Sequence, residues 1–259
     1  MHLEIVKLGM EGLSQVANYL IYMYVNCGSV TKAQQVFDSL FLRDVVIWTA
    51  LIAGCAEHGP YEKAFKCDGL MQQEGICPNP VTYIYILKGC ASMIALTEGQ
   101  QIHTQIVLKG LEDDINIGNT LINMFFKWGL CADARTCFGK LGLPDVTAWN
   151  ILVAGHLHLF RGRNYVTVFS EMIQEGIIPN NITLTCVLNS CSDAGILSIN
   201  DAFFLITHAY SYFFPTLKHY TCVVDFVGRV GLIDKAIGIL DGMPINPDVH
   251  IWLPLLGSC

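Results

Sequence analysis

Charge is scarce in this chain. Asp, Glu, Lys and Arg make up 14% of its 259 residues, and 22 acids outnumber 15 bases, for a net charge of −7. That balance excludes a protein that holds nucleic acid or anionic lipid by general attraction. It leaves open one that reads base edges. Long apolar runs are missing too, although 53% of the residues are hydrophobic. No window of 18 residues is free of charged and strongly polar groups. The best candidate, 202–217, is interrupted by His208, Ser211 and Pro215, so no membrane span is expected. Such apolarity without a span fits helices packed on two sides.

The eleven cysteines contain no C-x-x-C pair, and the closest are Cys131/Cys137 and Cys186/Cys191. Among apolar helical neighbours they read as reduced core thiols, not as metal ligands or disulfides. Glu4 and Lys7 break any apolar start, so no secretory signal is expected, and no Arg- and Ser-rich transit segment is present. His2-Leu3-Glu4 supplies H-x-E without the P-C-x-x-C that a zinc deaminase also needs. His156 and His158, two apart, point to different faces of a helix. Asn181-Ile-Thr183 is a glycosylation sequon only in a secreted protein. With no nucleophile–base arrangement, P-loop or dinucleotide fingerprint, the expectation is a non-enzymatic protein without cofactor or metal.

What the chain does have is repetition. DVVIWTALI at 44–52, PDVTAWNIL at 144–152 and PDVHIWLPLL at 247–256 are versions of one phrase. Trp48 and Trp149 are 101 residues apart, and Trp149 and Trp252 are 103. A second phrase, at 26–37, 127–138 and 228–240, keeps the same beat through Gly28, Gly129 and Gly231. This places Gly228-Arg-Val-Gly231 at a hairpin turn and not in a KH-type clamp. Two phrases sharing one period mean duplication.

Smaller units lie within that period. Each holds an apolar run at helical spacing, a turn, a second helical run and a Pro/Asp/Asn ending. In 45–79, Trp48, Leu51, Ile52 and Cys55 share one helix face, Pro60 marks a second helix, and Gly75 and Pro78 end it. Cutting at the same point gives 14–44, 45–79, 80–114, 115–145, 146–180, 181–216 and 217–248, with partial units 1–13 and 249–259. Hairpins of this size bury their apolar faces only by stacking. The expected fold is all-α: an α-solenoid of helix-turn-helix repeats, right-handed by the precedent of helical repeats. Because 1–13 reads as a second helix alone and 249–259 as a first helix alone, the chain is expected to be a fragment. Local packing is expected to suffer at Gly69, inside a second helix, at Val166, and in the aromatic stretch 202–215.

These phrases resemble those of plant pentatricopeptide repeat proteins, in the subclass that alternates P-, L- and S-type motifs. NYLIYMYVNCGSVTKAQQVFD and GNTLINMFFKWGLCADARTCF look like S-type motifs. ILKGCASMIAL with GQQIHTQIVLKG looks like an L-type motif. VLNSCSDAGIL followed by HYTCVVDFVGRVGLIDKAIGIL looks like the closing L–S pair, and IWLPLLGSC like the start of a truncated carboxy-terminal extension. On this resemblance 1–13 is the second helix of a partial L-type repeat.

The resemblance implies sequence-specific binding of single-stranded RNA, one base per repeat. It also implies a role in cytidine-to-uridine editing in mitochondria or chloroplasts, with any deaminase supplied in trans. The family's base readers are the fifth and last residues of a motif. By position they are Asn18 with Asp44, Thr49 with Asn79, Asn119 with Asp145, Asn150 with Asn180, and Thr221 with Asp248. An Asp carboxylate accepts only, which suits the N–H of U or G. An Asn amide both donates and accepts, which suits A or C. The implied preference is U, A, any, U, C or U, any, G. Ile84 with Asp114 and Thr185 with Thr216 are the undiscriminating pairs. Val46, Val81 and Ile182 at motif position two would stack on bases, where Gln15, Asn116, Thr147 and Lys218 stack less well. Asp and Asn at these boundaries are also ordinary helix caps. A peptide-binding scaffold that does not touch RNA is the alternative reading.

Overall fold

The computed structural model describes residues 14–160, 165–180, 182–183, 185–186, 216–229 and 231–257. The side chains of His158 and Val166 and the stretch 202–215 lie outside the described residues. The chain divides into two compact units, Met1–Gly142 and Leu143–Cys259. Every regular element among the described residues is a helix.

The first unit holds α1 (Ser14–Asn26), α2 (Val30–Asp38), α3 (Val45–His58), α4 (Tyr61–Gln73), α5 (Pro80–Met93), α6 (Leu96–Leu108), α7 (Ile115–Lys127) and α8 (Cys131–Lys140). Within this unit each odd-numbered helix packs on the even-numbered one that follows it, and α1, α3 and α5 also pack on the next odd-numbered helix. That is the stacking of a helical solenoid, and it explains the sequence pattern. α3 lies between α1 and α5 and buries nine of its fourteen residues; α4, a second helix, buries only four of thirteen. α3 therefore needs apolar residues almost all round, and α4 needs only a stripe. At Gly54 the approach of α1 to α3 is so close that a Cβ would stand 2.5 Å from the Val25 side chain.

The second unit holds α9 (Val146–Phe160), α10 (Tyr165–Gln174), α11 (Leu217–Arg229), α12 (Ile233–Asp241) and α13 (Val249–Gly257). α9 packs on α10, and α11 packs on α12 and α13.

The recurring tryptophan is a clamp between hairpins. Trp48 is buried, meets the Phe37 ring edge-on at 4.6 Å, and donates its indole N–H to Glu74 at 3.1 Å. Arg43 pairs with the same Glu74 carboxylate at 2.6 Å, and its guanidinium lies 4.6 Å from the centre of the Phe37 ring. One residue thus ties α2, the loop before α3, and the end of α4. Trp149 is also buried, whereas Trp252 is partly exposed.

The recurring glycine closes the hairpin turn. Gly28, Gly129 and Gly231 all have positive φ, and the residue after each donates to the carbonyl five back: Ser29 to Tyr24, Leu130 to Phe125, Leu232 to Val227. Between α5 and α6 the same bond runs from Ala95 to Cys90, yet Ile94 occupies the left-handed position at φ 56°. A β-branched residue there costs about 1–2 kcal/mol. Ile94 is 59% exposed and offsets little of this by burial. Ile94→Gly should therefore stabilise the protein by about 0.5–1 kcal/mol, after the greater freedom of glycine in the unfolded chain. Urea unfolding would read this as a higher midpoint with an unchanged slope.

Eight cysteines whose side chains are described are free, and four of these are buried: Cys55, Cys67, Cys90 and Cys137. Burial pushes the Cys90 thiol up to about 12 and that of Cys137 to about 11, so both remain protonated. No helix among the described residues is long and apolar enough to cross a membrane. Gly69 lies in α4 with open space where a Cβ would sit, so its cost is helix propensity and not packing.

Candidate nucleic-acid interface

Asp44, Asn79, Asp145 and Asp248 stand one before α3, α5, α9 and α13. Asp44 accepts from the Ile47 N–H at 2.8 Å, Asn79 from Thr82 at 2.9 Å, and Asp145 from Ala148 at 2.8 Å. Asn180 accepts from Ile182 at 3.0 Å and Thr183 at 3.1 Å, and Asp248 from Ile251 at 3.3 Å. All five are N-caps. Each uses Oδ1 for this task. The second polar atom, Oδ2 of the aspartates and Nδ2 of the asparagines, takes no hydrogen bond among the described residues. Capping and reading thus need different atoms of one side chain. Asp114, in an undiscriminating pair, caps α7 in the same way through Asn116 and Ile117.

The fifth-position residues lie on the first helices: Asn18 on α1, Thr49 on α3, Asn119 on α7, Asn150 on α9 and Thr221 on α11. Thr49 and Asn150 are buried; the other three are half-buried. In two pairs the structure joins the fifth residue to the last. Thr49 Oγ1 lies 2.7 Å from Thr82 Oγ1, which lies 2.9 Å from Asn79 Oδ1. Asn150 Nδ2 donates to Asn180 Oδ1 at 3.2 Å, and the Thr183 hydroxyl donates to Asn150 Oδ1. Asn18 Oδ1 and Asn119 Oδ1 are buried without a partner. The Thr221 hydroxyl donates back to the Leu217 carbonyl at 2.9 Å, and no bond joins it to Asp248.

At motif position two, Val46 is 55% exposed, Val81 49% and Ile182 61%. These are large apolar side chains held open to solvent. Asn116, Thr147 and Lys218 are exposed at the same place, and the Gln15 side chain lies outside the described residues. In the undiscriminating pairs, Ile84 and Thr185 are half-buried and Thr216 is exposed.

Two residues of this site were not assigned to it from the sequence: Thr82 and Thr183, both fully buried. The signal was a Thr three places after the capping Asn, in Asn79-Pro-Val-Thr82 and Asn180-Asn-Ile-Thr183. The set Thr49, Asn79, Val81, Thr82 recurs 101 residues later as Asn150, Asn180, Ile182, Thr183.

Two segments, 43–92 and 144–193, match the model of the PPR repeat family, and these hold most of the set just described. Those two segments carry the pentatricopeptide pattern. The chain's relatives in Arabidopsis thaliana bear that name. One putative pentatricopeptide repeat-containing protein is 31% identical over 259 residues, which cover all of this chain and 35% of the relative. Another is 33% identical across 95% of this chain and 31% of its own length. A third, 29% identical across 42% of its length, is named mitochondrial. The chain spans about a third of the length of the curated relatives it matches. Among solved structures, the pentatricopeptide repeat protein PPR10 from maize matches 98% of this chain and 42% of that one, at 17% identity and TM-score 0.59. PPR10 in complex with an 18-nt psaJ RNA element matches 96% of this chain and 42% of that one, at 20% identity and TM-score 0.66. The all-α solenoid of stacked helical hairpins is thus the fold of this chain.

Among the described residues, no three His, Cys, Asp or Glu side chains gather in a way that could hold a metal ion. His156 Nδ1 lies 2.8 Å from the Leu152 carbonyl of its own helix.

Proposed function

We propose that this chain binds single-stranded RNA sequence-specifically, one base per repeat. The observation that carries the reading is the recurrence of a complete constellation at 101-residue spacing. It comprises a capping Asn with a spare amide, a fifth-position partner bonded to it directly or through a threonine, and an exposed aliphatic two residues after the cap. Capping alone would not require the exposed Val81 and Ile182 or the buried fifth-position link. A strand of unstacked bases can use all three groups: an apolar face to stack on and polar atoms at the Watson–Crick edge. PPR10, which shares the fold, has been solved with an RNA element.

On this reading the repeats run 14–44, 45–79, 80–114, 115–145, 146–180, 181–216 and 217–248, in alternating P-, L- and S-type form. The base readers are the five pairs named above, with Val46, Val81 and Ile182 as stacking platforms. The chain itself is non-enzymatic. It acts in a mitochondrion or chloroplast as a specificity factor for RNA processing or cytidine-to-uridine editing, and places a transcript before a deaminase supplied in trans. Relatives named mitochondrial support an organelle.

The test is competition binding with RNAs that match U, A, any, U, C or U, any, G, against scrambled ones. Asn119→Thr should shift preference at one nucleotide only, from pyrimidine towards purine, by about tenfold. This is the scale of one to two hydrogen bonds. A uniform loss across all RNAs, or no change, overturns one base per repeat for this chain.

A further inference from the structure

We infer that Thr82 and Thr183 are positioning residues for base selection: each ties the reader pair together through a buried hydroxyl and leaves only amide N–H groups for a base. The inference rests on the RNA-reading proposal above.

An asparagine amide is ambiguous as a reader. Its oxygen and nitrogen occupy similar space, and a half-turn exchanges acceptor for donor. At Asn79 the oxygen takes both the Thr82 N–H and the Thr82 hydroxyl, each at 2.9 Å, so both lone pairs are used. Thr82 Oγ1 also receives the Asn79 backbone N–H at 3.3 Å and meets Thr49 Oγ1 at 2.7 Å. At Asn180 the oxygen takes the N–H groups of Ile182 and Thr183 and the Asn150 amide. The Thr183 hydroxyl then occupies the Asn150 oxygen. What remains in both pairs is Nδ2 of the last residue, a donor. Donors match the ring acceptors of adenine N1 and cytosine N3 and oppose the N–H of guanine and uracil.

The aspartate pairs supply the contrast. Three residues after Asp44, Asp114, Asp145 and Asp248 stand Ile47, Ile117, Ala148 and Ile251, none with a hydroxyl. The two oxygens of a carboxylate are equivalent, so there is no orientation to lock. Asn18 and Asn119, the fifth-position partners of Asp44 and Asp145, keep a buried Oδ1 with no partner, as expected where the hydroxyl is missing.

The test uses the full chain with Thr82→Val, which keeps the shape and removes the hydroxyl, and Thr82→Ser, which restores it. Affinity is measured for four RNAs that differ only at the nucleotide facing Thr49 and Asn79. The side-chain amide signals of Asn79 are followed by NMR without RNA. The expected result is a wild-type preference for adenine that falls about fivefold in Thr82→Val, the worth of one hydrogen bond. Preference at the other nucleotides should hold, the Asn79 amide signals should shift, and Thr82→Ser should behave as wild type. The inference is overturned, with RNA reading intact, if Thr82→Val keeps the wild-type preference, weakens all four RNAs equally, or is matched by Thr82→Ser. If the wild type shows no preference at that nucleotide, the reading of this repeat falls and the inference falls with it.

Discussion

Trp48→Ala is expected to cost about 3–5 kcal/mol of stability, the range for truncating a fully buried tryptophan. Three losses combine. The indole leaves a void beside Phe37. The edge-on ring contact, worth about 1 kcal/mol, disappears. Glu74 loses the indole N–H and is left to Arg43 alone. Those two side chains are partly exposed, so the ion pair itself adds little. Trp252 occupies the same place in the third phrase but is 42% exposed, and Trp252→Ala should cost less than about 1 kcal/mol. Urea unfolding of both variants gives the comparison. Equal losses would mean that the phrase does not set the packing role of its tryptophan.

Asn79→Asp is the sharpest change available at the proposed interface. Both residues cap helices about equally well, so the Thr82 N–H keeps its acceptor and stability should move by less than about 0.5 kcal/mol. The outward atom changes from donor to acceptor. Binding of an RNA with adenine at this nucleotide should weaken, and the guanine RNA should gain. The ratio of the two should swing by about a hundredfold, since a matched hydrogen bond is lost on one base and made on the other. Anisotropy titrations with the two RNAs measure the ratio directly. A swing that appears equally at other nucleotides, or an unfolding midpoint that falls with it, would assign Asn79 to the helix and not to the base.

Much of this architecture was legible from residue patterns because each signal has a local cause. The glycines at 28, 129 and 231 mark turns, since a positive φ selects them. The nearly all-apolar run at 45–58 marks a helix packed on two sides. Asp44, Asn79, Asp145, Asn180 and Asp248 stood out because a helix start needs an acceptor. Other features left no local trace. Ile94 sits where glycine is usual, and isoleucine carries no turn signal; only the backbone reveals the strain. The deep burial of Thr49 and Asn150 follows from the neighbouring first helix, which a single motif does not specify. Thr82 and Thr183 resemble ordinary capping-box residues, and their reach to the preceding hairpin depends on stacking between repeats. The exposure of Trp252 is likewise set by what packs on α13, not by its phrase.

The N-caps carry a consequence for how such a chain can change its target. A side chain that starts a helix and also faces a nucleotide must satisfy the first duty in every conformer, occupied or empty. Only short acceptors do so well, chiefly Asp, Asn, Ser and Thr. Substitution at these positions is therefore confined to a few letters by backbone chemistry, before any nucleotide arrives. New targets come more readily from exchange within that small alphabet, or from swapping whole hairpins, than from free variation at the contact point.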